Sequence, residues 1–434
     1  MMVDGKYLPV SSVWQRLNTW LLFAFVALLI VVPWGYAVVP LLVAIVALMG
    51  WAAFPRSGSR SWGLDVQDGG WCLALLAFSG VWLLDVWRTG YWPVGEENQG
   101  VALPLWPLLA ILLLIWLRRY PPSIKSWWLS VGCAALAVGA IALFERWVLG
   151  HDRASNGINS IPFGNLSLLM GVLSLVALLW LMECQRWNRN FHAIWLYLAL
   201  AAVLAGTTAS LLSGTRGGWI AMPLLLLLIF RTYREVLSKL YLRLTGGAIL
   251  GLVLLVALLP QSGVTQRLAE TVADVQQYWT GESTNGSVGV RLELWRGGVV
   301  LFSQAPLLGW GEGRMEAARD EMVAEGTLAG SASEHDQLHS DIIDTAARRG
   351  MLGLMTLGML YGMPLYLFAR FLRHPDPDIR ALALAGVLIP VAFIDFGLTQ
   401  SMLRDVRGLA GYLGLSVGLW AVLKGKIAEY AISA

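Results

Sequence analysis

Residues 161–183 read IPFGNLSLLMGVLSLVALLWLME and hold no charged side chain before the final glutamate. A bilayer core of about 30 Å needs about 20 apolar residues in helical form, because lipid offers no partner to unpaired backbone groups. The stretch therefore predicts a membrane-spanning helix. The whole chain agrees, since 57% of its 434 residues are hydrophobic and 14% are charged, against about a quarter charged in soluble domains.

Further apolar runs predict an all-α polytopic membrane protein with about 12 transmembrane helices. We divide the chain into transmembrane helices 1–9 (residues 1–260), one large loop domain (261–349) and transmembrane helices 10–12 (350–434). The predicted spans lie at about 19–34, 36–54, 70–87, 101–117, 127–144, 161–183, 192–212, 217–230, 244–260, 350–369, 381–399 and 407–423.

The basic residues of the connecting loops predict the orientation. With twelve spans both termini share one side, and the loops on that side hold every lysine of the chain. Short loops rich in basic residues stay in the cytoplasm, so we expect both termini there. The opposite loops carry arginine as their only basic residue. One arginine guanidinium can form two parallel hydrogen bonds to phosphate oxygens, whereas lysine acts as a point charge. The alternative is that these arginines pair with acids of the same loops.

The loop domain contains three patterns. Leu268, Val272, Val275 and Trp279 recur at helical spacing and predict an amphipathic helix. A second helix is expected over about 288–303, with Arg291 and Trp295 on one face. The glycine-rich run at 309–313 predicts a turn; it follows no strand and opens no βαβ unit, which argues against a nucleotide-binding loop.

Residues 331–339 read SASEHDQLH and hold two of the five histidines. Ser331 and Glu334 fit a capping box, which predicts a helix beginning there. On such a helix His335 and His339 share one face, and we expect the helix to end at Gly350, before the tenth span.

Three interpretations of the two histidines remain open. Their spacing matches the zinc-protease motif HExxH, but aspartate stands where that motif has its glutamate base and no third ligand is evident. They are also compatible with ordinary polar contacts in a wet loop. The third interpretation is acid/base chemistry, in which a neutral imidazole accepts a proton from a sugar hydroxyl.

Acid/base chemistry fits a pyrophosphate-linked sugar donor. The charge on its leaving group grows as the glycosidic bond breaks, and fixed arginines stabilise that charge without a metal. Arg216, in a short turn between the seventh and eighth spans, is the best placed by sequence.

Several motifs resemble those of one family, the O-antigen ligase and O-antigen polymerase superfamily, which includes the O-linked oligosaccharyltransferases. That family shows His-Asn followed by Gly-x-x-Gly-Leu; here His339-Ser340 precedes Gly350-Met351-Leu352-Gly353-Leu354, with serine in place of asparagine. The other similar pieces are Ser213-Gly214-Thr215-Arg216-Gly217, Arg291-x-x-x-Trp295 and Pro306-x-x-Gly309-x-Gly311.

The resemblance implies a GT-C-like glycosyltransferase with one large periplasmic loop, in the bacterial inner (cytoplasmic) membrane. It implies metal-independent, inverting transfer of O-antigen from undecaprenyl-pyrophosphate to lipid A-core, with no cofactor, facing the periplasm. His339 is the implied base; Arg216 and Arg291 are the implied pyrophosphate clamp, with Arg153 and His335 as further substrate-binding residues. The expected partners are the lipid-linked glycan, lipid A-core and membrane lipids, and no nucleic acid.

Other functions compete with the ligase interpretation. An O-antigen polymerase and a protein oligosaccharyltransferase share these motifs and differ mainly in the acceptor. A transporter of lipid-linked sugars is also polytopic, but transporters often have inverted repeats with charges at the midplane. We find no such repeat, and the candidate residues cluster on one side of the predicted membrane domain.

Overall fold

The computed structural model describes residues 2–3, 6–7, 10–53, 64–93, 102–186, 193–215, 217–220, 222–238, 264–280, 284 and 286–433, with a few isolated residues between 243 and 254. A two-residue antiparallel ladder, β1 (Met2–Val3) with β2 (Lys6–Tyr7), precedes the helices. The α-helices of the described part are α1 Val10–Leu28, α2 Gly35–Ala53, α3 Val66–Thr89, α4 Trp106–Arg119, α5 Ile124–Trp147, α6 Ser160–Arg186, α7 Ala193–Ser213, α8 Met222–Tyr233, α9 Val264–Thr280, α10 Ser287–Gln304, α11 Arg314–Ala324, α12 Asp341–Ala369, α13 Pro377–Thr399 and α14 Val406–Ser433.

Eight helices of the described part are long and apolar enough to cross a membrane, namely α2, α3, α5, α6, α7, α12, α13 and α14. The protein is thus an all-α polytopic membrane protein, as the sequence predicts. Two other predicted spans are shorter helices, since α4 has 14 residues and α8 has 12. The predicted span at 244–260 lies largely outside the described residues. The count of twelve stays a prediction.

Three helices form the centre of the bundle. Within their apolar segments, α6 is 94% buried, α13 is 83% buried and α14 is 89% buried. Helix α6 packs on α5, α7 and α13, and α13 packs in turn on α12 and α14. Because α6 carries the run IPFGNLSLLMGVLSLVALLWLME, the stretch that predicts a spanning helix also forms the middle of the protein core.

Small residues set the close contact between α6 and α7. A Cβ atom added to Gly206 would lie 2.7 Å from the backbone nitrogen of Gly171. Helices in lipid associate through such small residues, because without a bulky side chain their backbones pack directly on each other. Substitution at either glycine therefore separates the two helices.

The segment between α8 and α12 contains the two expected helices, but the structure corrects the predicted start of a third. The predicted amphipathic helix is α9, with Val272, Val275 and Trp279 exposed, and the helix carrying Arg291 is α10. The predicted helix start at Ser331 is wrong. Residues Gly330–Glu334 form a short 3₁₀ turn, the next residues are not helical, and α12 begins only at Asp341.

Gly350 interrupts α12, as expected for the residue that ends the helix before the next span. Its φ of +58° lies in the left-handed region that glycine tolerates. A Cβ atom there would also lie 2.5 Å from the Leu307 carbonyl carbon. The turn after Pro306 is joined to this kink, because Met351 N donates to the Pro306 oxygen at 2.7 Å and Gly311 N donates to the Arg348 oxygen at 2.8 Å.

Candidate active site

A polar pocket of about 590 Å³ contains three of the predicted site residues. Arg291 from α10, with His335 and His339 from the segment before α12, lines this pocket together with Glu334. The two imidazole rings lie 5.0 Å apart between centroids at an angle of 71°. The histidines therefore meet without sharing a helix face, and the spacing that suggested a zinc-protease helix has no helical basis here.

The contact with Gln400 determines which ring nitrogen of neutral His339 carries the proton. The His339 Nδ1 atom lies 2.9 Å from Gln400 Oε1. An amide oxygen only accepts hydrogen bonds, so Nδ1 donates and the neutral ring keeps its free lone pair on Nε2. This is the form that a general base requires.

The backbone around His339 is held from both sides. His339 has a φ of +49°, an uncommon left-handed conformation for a residue with a side chain. On one side Leu338 N donates to Asp344 Oδ1 at 3.1 Å; on the other, Ser340 N donates to Ser401 Oγ at 3.1 Å. Such strained conformations persist where neighbouring contacts impose them and are frequent at functional sites.

Ser340, which replaces the asparagine of the family motif, has a clear structural role. It is the N-cap residue of α12, and its Oγ accepts from Ile343 N and donates to the Gly397 oxygen at 3.1 Å. Capping side chains satisfy amide groups that the first helical turn leaves unpaired. Ser340 thereby starts the helix directly after the histidine.

Burial is the main cause that lowers the pKa of His339 to about 4. The hydrogen bond to Gln400 acts in the opposite direction, while the positive charge of Arg291 lowers the pKa further. Both desolvation and the charge of Arg291 favour the neutral imidazole, and desolvation is the larger cause.

Thr399 and Gln400, at the C-terminal end of α13, join the parts of the site. The Arg291 Nε atom donates to the Thr399 oxygen at 3.2 Å, and Gln400 holds His339. Gly217 packs against Thr399, because a Cβ atom on this glycine would lie 1.9 Å from Thr399 Oγ1. Arg216 itself lies outside the described residues, but the residue that follows it contacts the end of α13.

Arg153 lies at the neighbouring loop and not among the residues that line the polar pocket. Its Nε atom donates to the Ser213 oxygen at 2.8 Å, three residues before Arg216. Ala154 N also donates to the Leu212 oxygen at 3.0 Å. The loop before α6 is thus attached to the end of α7 that leads into the Arg216 turn.

A buried ionic cluster, which no sequence pattern predicts, lies next to the site. Glu312 is 1% exposed and accepts from three arginines: Arg348 Nη1 at 2.8 Å, Arg349 Nη2 at 2.5 Å and Arg404 Nη1 at 2.6 Å. Burial raises the pKa of the Glu312 carboxyl, but together these guanidinium groups outweigh burial and hold the pKa far below its usual value. Asp344 connects the cluster to the site, since its Oδ2 accepts from Arg348 and its Oδ1 from Leu338 N.

Comparison with known proteins gives two results. A protein of Haemophilus influenzae that is described as uncharacterized is 23% identical over 386 residues, which is 88% of this chain and 92% of the relative. The sequence profile of the O-antigen ligase family matches residues 201–358. This match supports membership of the O-antigen ligase superfamily. The matched segment contains Arg216, Arg291, His335 and His339, and membership supports a glycosyltransferase-like function of the ligase or polymerase type.

Proposed function

We propose that this member of the O-antigen ligase superfamily transfers O-antigen from undecaprenyl-pyrophosphate to lipid A-core. The observation that carries the proposal is the polar pocket, where His339 offers a free Nε2 lone pair beside the Arg291 guanidinium. A base for the acceptor and a cation for the departing pyrophosphate are the two groups that such a transfer needs.

The reaction is a single displacement. The acceptor hydroxyl oxygen attacks the anomeric carbon of the donor while the bond from that carbon to the phosphate oxygen breaks. His339 Nε2 takes the hydroxyl proton, and the bonding electron pair leaves with undecaprenyl-pyrophosphate. Attack from the face opposite the leaving group inverts the anomeric configuration, and no covalent enzyme intermediate forms.

Arg291 and Arg216 form the proposed pyrophosphate clamp. A guanidinium offers two parallel hydrogen bonds to phosphate oxygens, and fixed cations at the point where charge develops lower the barrier. Gly217 supports the pairing, since it rests on Thr399, the residue whose oxygen accepts from Arg291. His335 shapes the acceptor side of the pocket, and Arg153 supports the turn that carries Arg216.

Location and fold subclass follow from the same proposal. The loops that hold the lysines face the cytoplasm, and the pocket faces the periplasm of a bacterial inner membrane, where lipid-linked O-antigen is presented. A GT-C-like arrangement, in which a membrane bundle carries the site at one surface, fits the position of His339 directly before α12.

We expect the purified protein in lipid vesicles to join a glycan from undecaprenyl-pyrophosphate to lipid A-core, with equal rates in buffer and in excess chelator. Neither the base nor the proposed clamp requires a metal ion. Product formation is measured by gel mobility of the acceptor lipid. Loss of transfer in chelator that a divalent ion restores would contradict the metal-independent mechanism; extension of the glycan in place of acceptor modification would identify a polymerase.

The pH dependence of kcat/KM should reveal the depressed pKa of His339. Because burial favours the neutral imidazole, the base stays unprotonated at every pH above about 4. We expect kcat/KM to fall on the acid side only near pH 4, well below the usual histidine pKa of about 6.5. An acid limb near 6.5 in a protein that remains folded would contradict this environment for the base.

A further inference from the structure

An apolar groove lies between α5 and α7, with α6 as its floor. Its lining includes Leu129, Gly132 and Leu136 of α5 and Leu198 of α7, and its volume is about 460 Å³. Leu129 is 44% exposed and Leu198 is 40% exposed. All three helices are long and apolar enough to cross a membrane, so the open side of the groove faces lipid acyl chains.

One end of this groove opens into a second cavity that is lined by two cations. This cavity of about 590 Å³ shares Lys125 and Leu129 with the groove and is lined further by Arg16, Thr19 and Ser126. Both cations are exposed, and neither forms an ion pair with a residue in the part of the chain that the structure describes. The apolar groove therefore ends at two positive charges that have no ion-pair partner among the described residues, beside the hydroxyl groups of Thr19, Ser123 and Ser126.

The length of the groove matches one leaflet of a bilayer. From Lys125 to Leu136 the groove follows eleven residues of α5, which at about 1.5 Å per residue is about 16 Å. Half of a hydrocarbon core of about 30 Å is about 15 Å. An acyl chain from a single leaflet thus fills the groove while its headgroup stays at the cationic end.

The cationic end lies on the side of the bundle away from the candidate active site. At the C-terminal end of α5, Glu145 Oε2 accepts from Ser155 N at 2.7 Å, in the loop that carries Arg153. Lys125 lies near the N-terminal end of this 24-residue helix, about 30 Å from Glu145 along its axis. The groove is therefore separate from the polar pocket, and it opens on the side that the loop lysines predict to be cytoplasmic.

We propose that this groove binds one acidic phospholipid of the cytoplasmic leaflet. The phosphate lies between Arg16 and Lys125, and one acyl chain lies between α5 and α7. The charges favour this lipid, because an anionic headgroup neutralises both cations whereas a zwitterionic headgroup brings a cation of its own. Basic pockets between transmembrane helices at the cytoplasmic surface recognise anionic headgroups in this way. The proposal is independent of the reaction that the protein catalyses.

Native mass spectrometry of the purified protein tests the headgroup site. The probes are phosphatidylglycerol and phosphatidylcholine with the same acyl chains. We expect the wild type to retain one phosphatidylglycerol about tenfold more tightly than phosphatidylcholine, and the Arg16→Gln/Lys125→Gln variant to lose this preference. Equal affinity for the two lipids in the wild type, or an unchanged preference in the variant, would overturn the proposal.

Gly132 provides a test of the acyl-chain groove. A Cβ atom on Gly132 meets no other atom within 4 Å, so Gly132→Trp fills the groove without displacing the backbone. Gly80→Trp is the matched control, because Gly80 also lies within a helix with open space around it and is remote from the groove. We expect phosphatidylglycerol retention to fall about tenfold in the first variant and to stay at the wild-type level in the second. Full retention by Gly132→Trp would show that no acyl chain occupies the groove.

Discussion

His339→Ala lowers the rate of glycan transfer by a factor of about 10²–10⁴, the range that a positioned general base contributes. His335→Ala lowers it far less, because none of the residues that the structure describes holds the His335 ring by a hydrogen bond as Gln400 holds that of His339. The structural difference between the two is Gln400, which accepts from His339 Nδ1 at 2.9 Å and leaves Nε2 free. The measurement is transfer to lipid A-core in vesicles, with both variants at matched protein amounts.

Comparison of the two histidine variants separates a loss of catalysis from a loss of folding. Both histidines line the same pocket and their rings touch, so a loss due to local collapse affects both variants. Gln400→Glu adds a further control, since a carboxylate at this position still accepts from Nδ1 and keeps the ring orientation. Near-normal turnover of His339→Ala, or a larger loss in His335→Ala, would move the base assignment to His335.

Glu312→Gln destabilises the protein by about 3–5 kcal/mol, the usual effect of removing one partner from a buried charged group. The substitution keeps the shape of the side chain but leaves Arg348, Arg349 and Arg404 around a neutral amide. Of these guanidinium groups, that of Arg349 also lies 3.8 Å from the Trp82 ring centroid, which does not replace the lost negative charge.

Thermal unfolding in detergent, followed by tryptophan fluorescence, measures this effect. The control is Glu316→Gln, whose carboxylate contacts Arg348 at 2.5 Å but is 23% exposed. Water reaches that group, so the loss there is smaller. If Glu312→Gln unfolds at the same temperature as Glu316→Gln, the buried cluster contributes less than its geometry indicates.

Much of the membrane domain was predictable from hydropathy, but not the ends of its helices. The predicted span at 101–117 begins in the structure with a 3₁₀ turn, and α4 starts only at Trp106, with Pro107 in its first turn. Proline favours the first turn of a helix and is unfavourable in its interior. A hydropathy window measures composition over about 20 residues and does not detect where such a start falls.

The residue types of the candidate site were predictable from the sequence, but the backbone conformation that positions them was not. Arg291, His335 and His339 do share one pocket. The predicted helix start at Ser331 is wrong because a local capping pattern carries no information on tertiary contacts, and such contacts place the cap at Ser340. Gln400 was missed for a similar reason: it is 61 residues from His339 in sequence, and an isolated glutamine at a helix end has no recognisable motif.

The end of α13 holds the base and the cation by separate contacts. The Gln400 side chain holds His339 and the Thr399 main-chain oxygen accepts from Arg291, so adjacent residues of one segment set the spacing between the two groups. Arg291 and His339 come from different parts of the chain, so these two contacts make the end of α13 the common reference point for both side chains. A shift of this one helix end would change the position of both groups at once.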